Sequence, residues 1–196
     1  MCIRDSDKGS IFLDNNSIKD YSLKGLRKHI GIVLQDVFLF ADTIYNNITL
    51  YDLDINEEDV FNAAKGIGIH DFILSLPGGY QYNVKERGVM LSSGQRQLIS
   101  FLRVYLSNPS ILILDEATSS IDSNAEEMIK TATKKITEGK TSILIAHRLS
   151  TIKNADRIVV MEKGNIVEIG SHRELLENEN GDYSQLYKIQ FLEPVI

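Results

Sequence analysis

The sequence predicts an α/β fold in which a largely parallel sheet is interrupted by a helical insertion. In the last third of the 196-residue chain, short all-apolar runs alternate with helical periods, a pattern typical of parallel strands covered on both faces. Residues 39–108 instead contain several helical periods and no convincing run of β-branched residues. We therefore expect a sheet region at about 7–38, a helical subdomain at about 39–108, and a sheet-and-helix region at about 109–196.

The composition excludes several classes of protein. Hydrophobic residues make up 43% and charged residues 24% of the chain, a globular balance that rules out a disordered or fibrous protein. The net charge of -6 argues against a surface whose main task is to grip nucleic acid. The single cysteine, Cys2, forms neither an internal disulfide nor a metal cluster, which fits a reducing cytosol. We expect no nucleic-acid partner, no secretory signal and no membrane-spanning segment in this chain.

The residues before the insertion predict two short strands and a helix. A strand at 11–13 is followed by a turn, and Ser22 is placed to cap a short helix that leads into a second strand at 30–34. Within the insertion, Asn56 and Asp59 have the spacing of a capping box, and apolar residues then recur at helical spacing. A further helix is expected after a Ser92-Ser93-Gly94 loop, ending before Pro109.

The last third predicts the alternating part of the fold. Strands are expected at 111–114, 142–145, 157–161 and 166–169, with a helix at 123–136 and a turn at Lys163-Gly164. Two capped helices close the pattern, one begun by Ser171 with Glu174 and one by Asp182 with Gln185.

Two adjacent acids follow the apolar strand at 111–114. Ligands of open parallel sheets bind at the carboxyl ends of strands, which is where Asp115 and Glu116 are expected. One acid can hold Mg²⁺ while the other orients or deprotonates a water molecule. The alternative is a solvated strand end followed by an ordinary turn.

The segment Leu91-Ser92-Ser93-Gly94-Gln95 precedes a predicted helix. Free backbone N–H groups and the positive end of the helix dipole favour an anion there, and the Ser92 hydroxyl adds a donor. The alternative is a plain helix cap with a flexible glycine.

Two further polar residues follow predicted strands. His147 comes after an apolar strand and can donate a hydrogen bond to a phosphate oxygen, although a lone histidine is more often structural. Gln35, after the strand at 30–34, is either a polar turn residue or a ligand of metal and water.

Taken in order, these strings resemble the nucleotide-binding domain of ATP-binding cassette (ABC) proteins, which belongs to the P-loop NTPase type of α/β fold. The resemblance covers about residue 7 to the end, and residues 39–44, 47–48 and 85–88 look like the exporter branch. It assigns Gln35 to the Q-loop, residues 91–95 to the signature loop, Asp115 and Glu116 to Walker B, Asp122 to the D-loop, and His147 to the switch histidine.

The resemblance implies roles for these residues. Glu116 would act on the water, His147 would contact the γ-phosphate, and Asp115 and Gln35 would serve Mg²⁺. Nucleotide contacts are implied for a further set: Gln35, Ser92, Ser93, Gly94, Gln95 and Asp122.

It also implies ATP and Mg²⁺ as cofactors, and two partners. These are a second nucleotide-binding domain, identical or not, and the transmembrane domain of an exporter. The expected location is the cytoplasmic face of the cell membrane.

The sequence departs from the family pattern at two places. Ser93 stands where glycine is usual, a change that keeps the capping chemistry. No G-x-x-x-x-G-K-S/T string precedes Gln35, and Gly139-Lys140-Thr141 is no substitute, because Lys134 stands five positions before Gly139 and a strand follows. We therefore expect the C-terminal part of a longer transporter polypeptide. The alternative function is a non-catalytic interaction module. A soluble ABC ATPase of DNA repair or translation is disfavoured by the acidic charge and by the exporter-like residues 39–44.

Overall fold

The computed structural model describes residues 8–116, 123–146 and 152–191. The chain divides into two compact units, Met1–Leu114 with Ser120–Ile143, and Asp115–Ser119 with Leu144–Ile196. Each unit is described by itself.

The first unit opens with a small hairpin and a capped helix. Strands β1 (Phe12–Leu13) and β2 (Asn16–Ser17) pair antiparallel, and a 3-10 turn at Ile18–Asp20 follows. Helix α1 (Leu23–His29) begins as predicted, because the Ser22 Oγ accepts a hydrogen bond from the Gly25 N–H at 3.1 Å.

A three-stranded sheet forms the centre of the α/β fold. Strand β3 (Ile30–Val33) pairs in parallel with β4 (Ile111–Glu116), and β5 (Thr141–Ala146) lies on the other side of β4. The predicted strands are confirmed, but β4 runs two residues further than expected and includes both acids. Polar side chains at a strand end do not stop the backbone from extending, so the apolar run alone gave too short a strand.

The expectation of a sheet buried on both faces is wrong for the described residues. Val33, Leu112 and Leu114 are buried, whereas Ile32 is 49%, Ile143 53% and Ile145 50% exposed. Successive side chains of a strand point to opposite faces, so an apolar run shows that both faces are apolar. It does not show that an element of the described chain covers each of them.

The residues between β3 and β4 form helices and turns, with one isolated bridge between Thr43 and Asn83. The α-helices are α2 (Ile44–Thr49), α3 (Glu57–Gly66), α4 (His70–Ser75) and α5 (Ser93–Ser107), and 3-10 turns lie at Gly79–Gln81 and Glu86–Gly88. They enclose a core of aliphatic side chains: Leu39, Ile44, Ile48, Val60, Ala64, Ile67, Leu98 and Leu102. No helix of the described residues is long and apolar enough to cross a bilayer.

The helix boundaries test the predicted caps. The Asn56–Asp59 capping box at the start of α3 is confirmed, with the Asp59 N–H 2.9 Å from Asn56 Oδ1. The predicted Ser92-Ser93-Gly94 loop is wrong in one respect: α5 begins at Ser93, so Ser93 and Gly94 form its first turn. Helix α6 (Ser123–Thr137) confirms the helix predicted at 123–136.

The second unit is a hairpin packed against two helices. Strands β6 (Ile158–Glu162) and β7 (Asn165–Gly170) pair antiparallel around the predicted Lys163-Gly164 turn. Helices α7 (His172–Glu177) and α8 (Asp182–Phe191) follow. Its buried core consists of Ile158, Leu175 and Tyr183.

Helix α8 is capped differently from the prediction. Asp182 is the first helical residue, and the Tyr183 N–H donates to Glu168 Oε2 at 2.9 Å, so a carboxylate of β7 caps the helix. Local spacing could not reveal this cap, because the two residues lie far apart in the sequence.

Candidate functional site

The two acids lie at the end of β4. Asp115 is half-buried, and Glu116 is the last residue of the strand. Gln35 is exposed and lies two residues after the end of β3, whose Val33 is opposite Leu114 in the parallel register. Each residue thus follows the last register pair of its own strand. His147 and Asp122 lie outside the described residues.

The Ser92–Gln95 segment forms a complete capping box at the N-terminus of α5. The Gln95 N–H donates to Ser92 Oγ at 3.2 Å, and the Ser92 N–H donates to Gln95 Oε1 at 2.9 Å. The structure therefore brings these two predicted residues together through reciprocal hydrogen bonds. Ser92 and Ser93 are exposed, while Gly94 is buried.

This N-terminus has the chemistry of an anion site. The N–H groups of Ser93 and Gly94 belong to the first turn, where an α-helix supplies no acceptor of its own. The first turn contains no acidic residue, so nothing there opposes the positive end of the dipole of this 15-residue helix. The Ser92 hydroxyl accepts from Gln95 and keeps its own hydrogen to donate.

The segment before α5 is held by close packing at Gly88. Gly88 has φ +67°, and a Cβ there would lie 2.7 Å from Leu39 Cδ1 and 3.1 Å from Arg96 Cδ. Arg96 in turn donates from Nη1 to the Leu91 carbonyl at 2.7 Å. A side chain at Gly88 would therefore push both on buried Leu39 and on the residue that fixes the entry into α5.

Sequence reasoning missed two residues of this region, Asn47 and Arg103. The sequence indicates Asn47 only as part of an exporter-like string, and the apolar periodicity of α5 gives Arg103 no role. Both hydrogen bond to the chain segment that follows Gln35. A signal was present in the sequence: Arg103 stands between Leu102 and Val104 in an otherwise apolar turn, which is an expensive place for a charge.

Two pKa shifts in the helical region belong to structural groups. Burial raises the pKa of Tyr80 to about 12, and its hydroxyl lies 2.9 Å from His70 Nδ1. The hydrogen bond from Tyr51 holds the pKa of Asp42 below its usual value, with help from the Thr43 N–H and the Asn46 side chain. These groups fasten α2 and α4 and are not among the predicted site residues.

An open cleft lies elsewhere in the helical region. It has a volume of about 460 Å³ and is lined in part by Tyr45, Phe61, Leu74 and Tyr80. Of the predicted site residues that the structure describes, none lines this cleft.

The donor set is compatible with Mg²⁺ bound together with a nucleotide. Among the described residues, no group of three or more His, Cys, Asp and Glu side chains is arranged to hold a metal. Mg²⁺ is commonly held by one or two carboxylates together with water and substrate phosphates, so a complete protein cage is not required. The carboxylate of Asp115 and the amide oxygen of Gln35 are oxygen donors of the required kind.

Comparisons with known proteins agree with these motifs. Residues 2–119 match the sequence model of the family described as ABC transporter. The chain is 48% identical over 188 residues to YgaD of Bacillus subtilis, whose name describes a multidrug export ATP-binding/permease protein, over 96% of this chain and 32% of that protein. A Staphylococcus aureus protein of the same description is 49% identical over 188 residues, with the same coverage of 96% and 32%.

A solved structure is also similar to this chain. The structure of a bacterial Atm1-family ABC exporter with ATP bound matches with a TM-score of 0.86 and 40% sequence identity, over 96% of this chain and 33% of that chain. The chain spans about a third of the length of the relatives it matches.

Proposed function

Because the chain belongs to the ABC transporter family, we propose that it acts as the ATP-binding and ATP-hydrolysing domain of an exporter. Its α/β fold is that of the ABC ATPases. The observation that carries the proposal is the N-terminus of α5, where the Leu91–Gln95 string becomes a capped, exposed helix end without an acidic residue. The N-terminus of a helix favours a bound phosphate, because its free N–H groups and the helix dipole both attract negative charge.

The proposed chemistry divides the labour among the predicted residues. Glu116 orients or deprotonates the attacking water, and His147 donates a hydrogen bond to the γ-phosphate. Asp115 and Gln35 would hold Mg²⁺, whose charge would offset that of the phosphate oxygens.

The α5 end is proposed to act on a nucleotide held mainly by a second domain. Ser92, Ser93 and Gly94 would donate to its phosphates, and Asp122 would belong to the same shared interface. Gln95 contributes in two ways: its Oε1 fixes Ser92, and its amide N–H groups remain available as donors.

The partners follow from this arrangement. We propose a second nucleotide-binding domain, identical or related, that closes on ATP against this one, and a transmembrane domain that receives the motion through the region following Gln35. The site of action would be the cytoplasmic face of the cell membrane.

A second candidate function is an interaction module that keeps the α5 surface but does not bind nucleotide in a pocket of its own. In this candidate the exposed Ser92–Gln95 end of α5 is the surface that a partner contacts.

A chimera separates the two candidates. In it, this chain replaces the matching 188 residues of the Bacillus subtilis relative. We expect steady ATP hydrolysis by the purified chimera, near-complete loss of turnover in Glu116→Gln, and retained ATP binding, because an amide keeps the shape but is no base. Glu138→Gln, at an exposed position, is the matched control and should hydrolyse normally. A chimera that assembles but never hydrolyses ATP would favour the interaction module, and normal turnover in Glu116→Gln would assign the base to another residue.

A further inference from the structure

A hydrogen-bond network joins α5 to the chain segment that follows Gln35. The Arg103 guanidinium on α5 donates from Nη1 to the Phe38 carbonyl at 2.9 Å and from Nη2 to Asn47 Oδ1 at 3.0 Å. Its Nε donates to the Asn47 carbonyl. One side chain of α5 therefore contacts both the Phe38 segment and helix α2.

Asn47 completes the network from the side of α2. It is fully buried, and its Oδ1 accepts from the Phe40 N–H at 2.8 Å while its Nδ2 donates to the carbonyls of Phe40 and Thr43, both at 3.0 Å. Both backbone polar groups of Phe40 are thus fixed by a single amide. Apart from the buried Leu39 side chain, the Phe38–Phe40 segment is held by its backbone, since its two aromatic rings are 57% and 48% exposed.

Partial burial of the Arg103 guanidinium costs desolvation free energy. Burial lowers its pKa, and in the described part of the chain no carboxylate lies within ion-pair distance of it. Its partners are two carbonyls and an amide oxygen, which only a planar group with several fixed donors can reach together. An apolar side chain would fill the same space without desolvating a charge, so simple packing does not explain the residue.

We propose that Arg103 is a positioning residue that holds the Phe38–Phe40 segment in fixed register against α5. Gln35 lies three residues before that segment, and the Ser92–Gln95 end lies at the start of the same helix. The network therefore makes the backbone after Gln35 and the proposed phosphate-binding end parts of one rigid assembly. This inference rests on the proposed function for its consequence, but its geometric content can be tested without nucleotide.

The first test is amide-resolved hydrogen exchange on the full 196-residue chain. Arg103→Lys keeps the charge and the aliphatic stem but loses the planar guanidinium with its several fixed donors. We therefore expect the Phe40 amide to exchange at least about tenfold faster. The Asp59 amide in the α3 capping box should stay within about twofold, and the thermal midpoint within about 3 °C. Arg27→Lys, at an exposed position of α1, is the control and should change neither amide.

Two results would overturn the proposal. One is unchanged protection of Phe40 in Arg103→Lys, which would mean that charge and packing suffice. The other is an equal rise in exchange at Phe40 and Asp59, which would mean that the substitution only destabilises the whole unit. Arg103→Met, which removes the donors, should speed exchange at Phe40 further; if that variant does not fold, the lysine variant alone decides.

The second test is kinetic and uses the chimera. We expect Arg103→Lys to lower kcat, normalised to the amount of ATP-binding protein, by tenfold or more, because small misplacements of catalytic groups slow the reaction strongly. The Kd for ATP should stay within about twofold. A purely structural role would lower the amount of folded protein and leave this normalised kcat unchanged. A chimera without ATPase activity would contradict the proposed function, and the hydrogen-exchange result would still decide the inference.

Discussion

Helices α5 and α7 begin with the same capping box but differ in charge. Ser92 and Gln95 exchange two hydrogen bonds at the start of α5, and Ser171 and Glu174 do the same at the start of α7. The N3 residue is neutral in the first box and acidic in the second. A third box, at the start of α3, also uses an acid, Asp59.

The charge of the N3 residue affects how readily a helix N-terminus binds an anion. An acid in the first turn stabilises the helix by interacting with its dipole, but it occupies the electrostatic position that a phosphate would take. Glu174 and Asp59 therefore satisfy their own helix ends with negative charge. Gln95 makes the same hydrogen bonds and leaves the positive end of α5 uncompensated, so equal geometry gives different capacity for a ligand.

The largest expected effect tests whether the α5 end is a nucleotide site by itself. We expect the purified 196-residue chain to bind Mg-ATP very poorly and to hydrolyse none detectably. A P-loop supplies several hydrogen bonds to charged oxygens, and losing only three removes about 4.5 to 9 kcal/mol, or about three powers of ten in affinity or more. Asp115 and Glu116 would repel phosphate unless Mg²⁺ lies between them. Isothermal titration and a phosphate-release assay on the chain measure both quantities.

Micromolar binding with steady turnover would contradict this expectation. It would mean that another segment of the chain supplies the phosphate contacts. The chimera, titrated in parallel, is the positive control.

The next effect concerns Gln95, the neutral N3 residue of the capping box at the start of α5. In a chimera that also carries Glu116→Gln, we expect Gln95→Glu and Gly94→Asp to weaken ATP-dependent dimerisation at least tenfold, because each places a carboxylate against the partner's nucleotide. Light scattering with and without ATP measures the dimer.

Gln95→Glu is the sharper variant, because glutamate preserves the capping box. Its folding stability should therefore be unchanged or slightly raised while dimerisation falls. Glu174→Gln is the matched reverse substitution and should leave dimerisation unchanged. Undiminished dimerisation in both α5 variants would show that this end does not meet the nucleotide.

Much of the local structure behind this comparison could be predicted from the sequence. The caps at Ser22, Asn56 and Ser171 were correct because capping depends on a few neighbouring residues. Helix α5 begins two residues earlier than predicted, because Ser93 and Gly94 are compatible with the first turn of a helix as well as with a loop.

Contacts between distant residues could not be predicted in the same way. The Glu168 cap of α8 and the Arg103–Phe38 bond join residues 15 and 65 positions apart, and no local spacing encodes them. The exposure of Ile32 likewise depends on which elements cover the sheet, not on the strand pattern. Asp115 and Glu116 could be placed at the end of their strand and Gln35 just after its own, but their proposed roles stay predictions.

A smaller effect separates capping from ligand binding. Ser92→Ala and Ser171→Ala each remove a side-chain acceptor at a helix N-terminus, so we expect each to lower the free energy of unfolding by about 1 kcal/mol. Denaturant unfolding of the chain, followed by the signal of each unit, measures the losses. A loss far larger for Ser92 would mean that its hydroxyl has structural partners beyond the capping box; Ser110→Ala, at an exposed position before β4, is the control.

The smallest effect is a pH dependence that the acidic capping box of α7 has and the neutral box of α5 lacks. The Ser171 N–H, 2.8 Å from Glu174 Oε2, holds the pKa of that carboxyl below its usual value, and the Ser171 hydroxyl adds to the effect. A lowered folded-state pKa stabilises the fold above the ordinary glutamate value and ceases to do so as pH falls through the lowered one. We therefore expect Glu174→Gln to flatten a shallow loss of stability below about pH 4.5, the ordinary value for this group. The capping box of α5 should contribute no such pH-dependent loss of stability, because the Gln95 amide does not titrate in this range. Unfolding curves between about pH 6 and pH 3 decide the matter, and a slope unchanged in Glu174→Gln would place the acid sensitivity in other carboxylates.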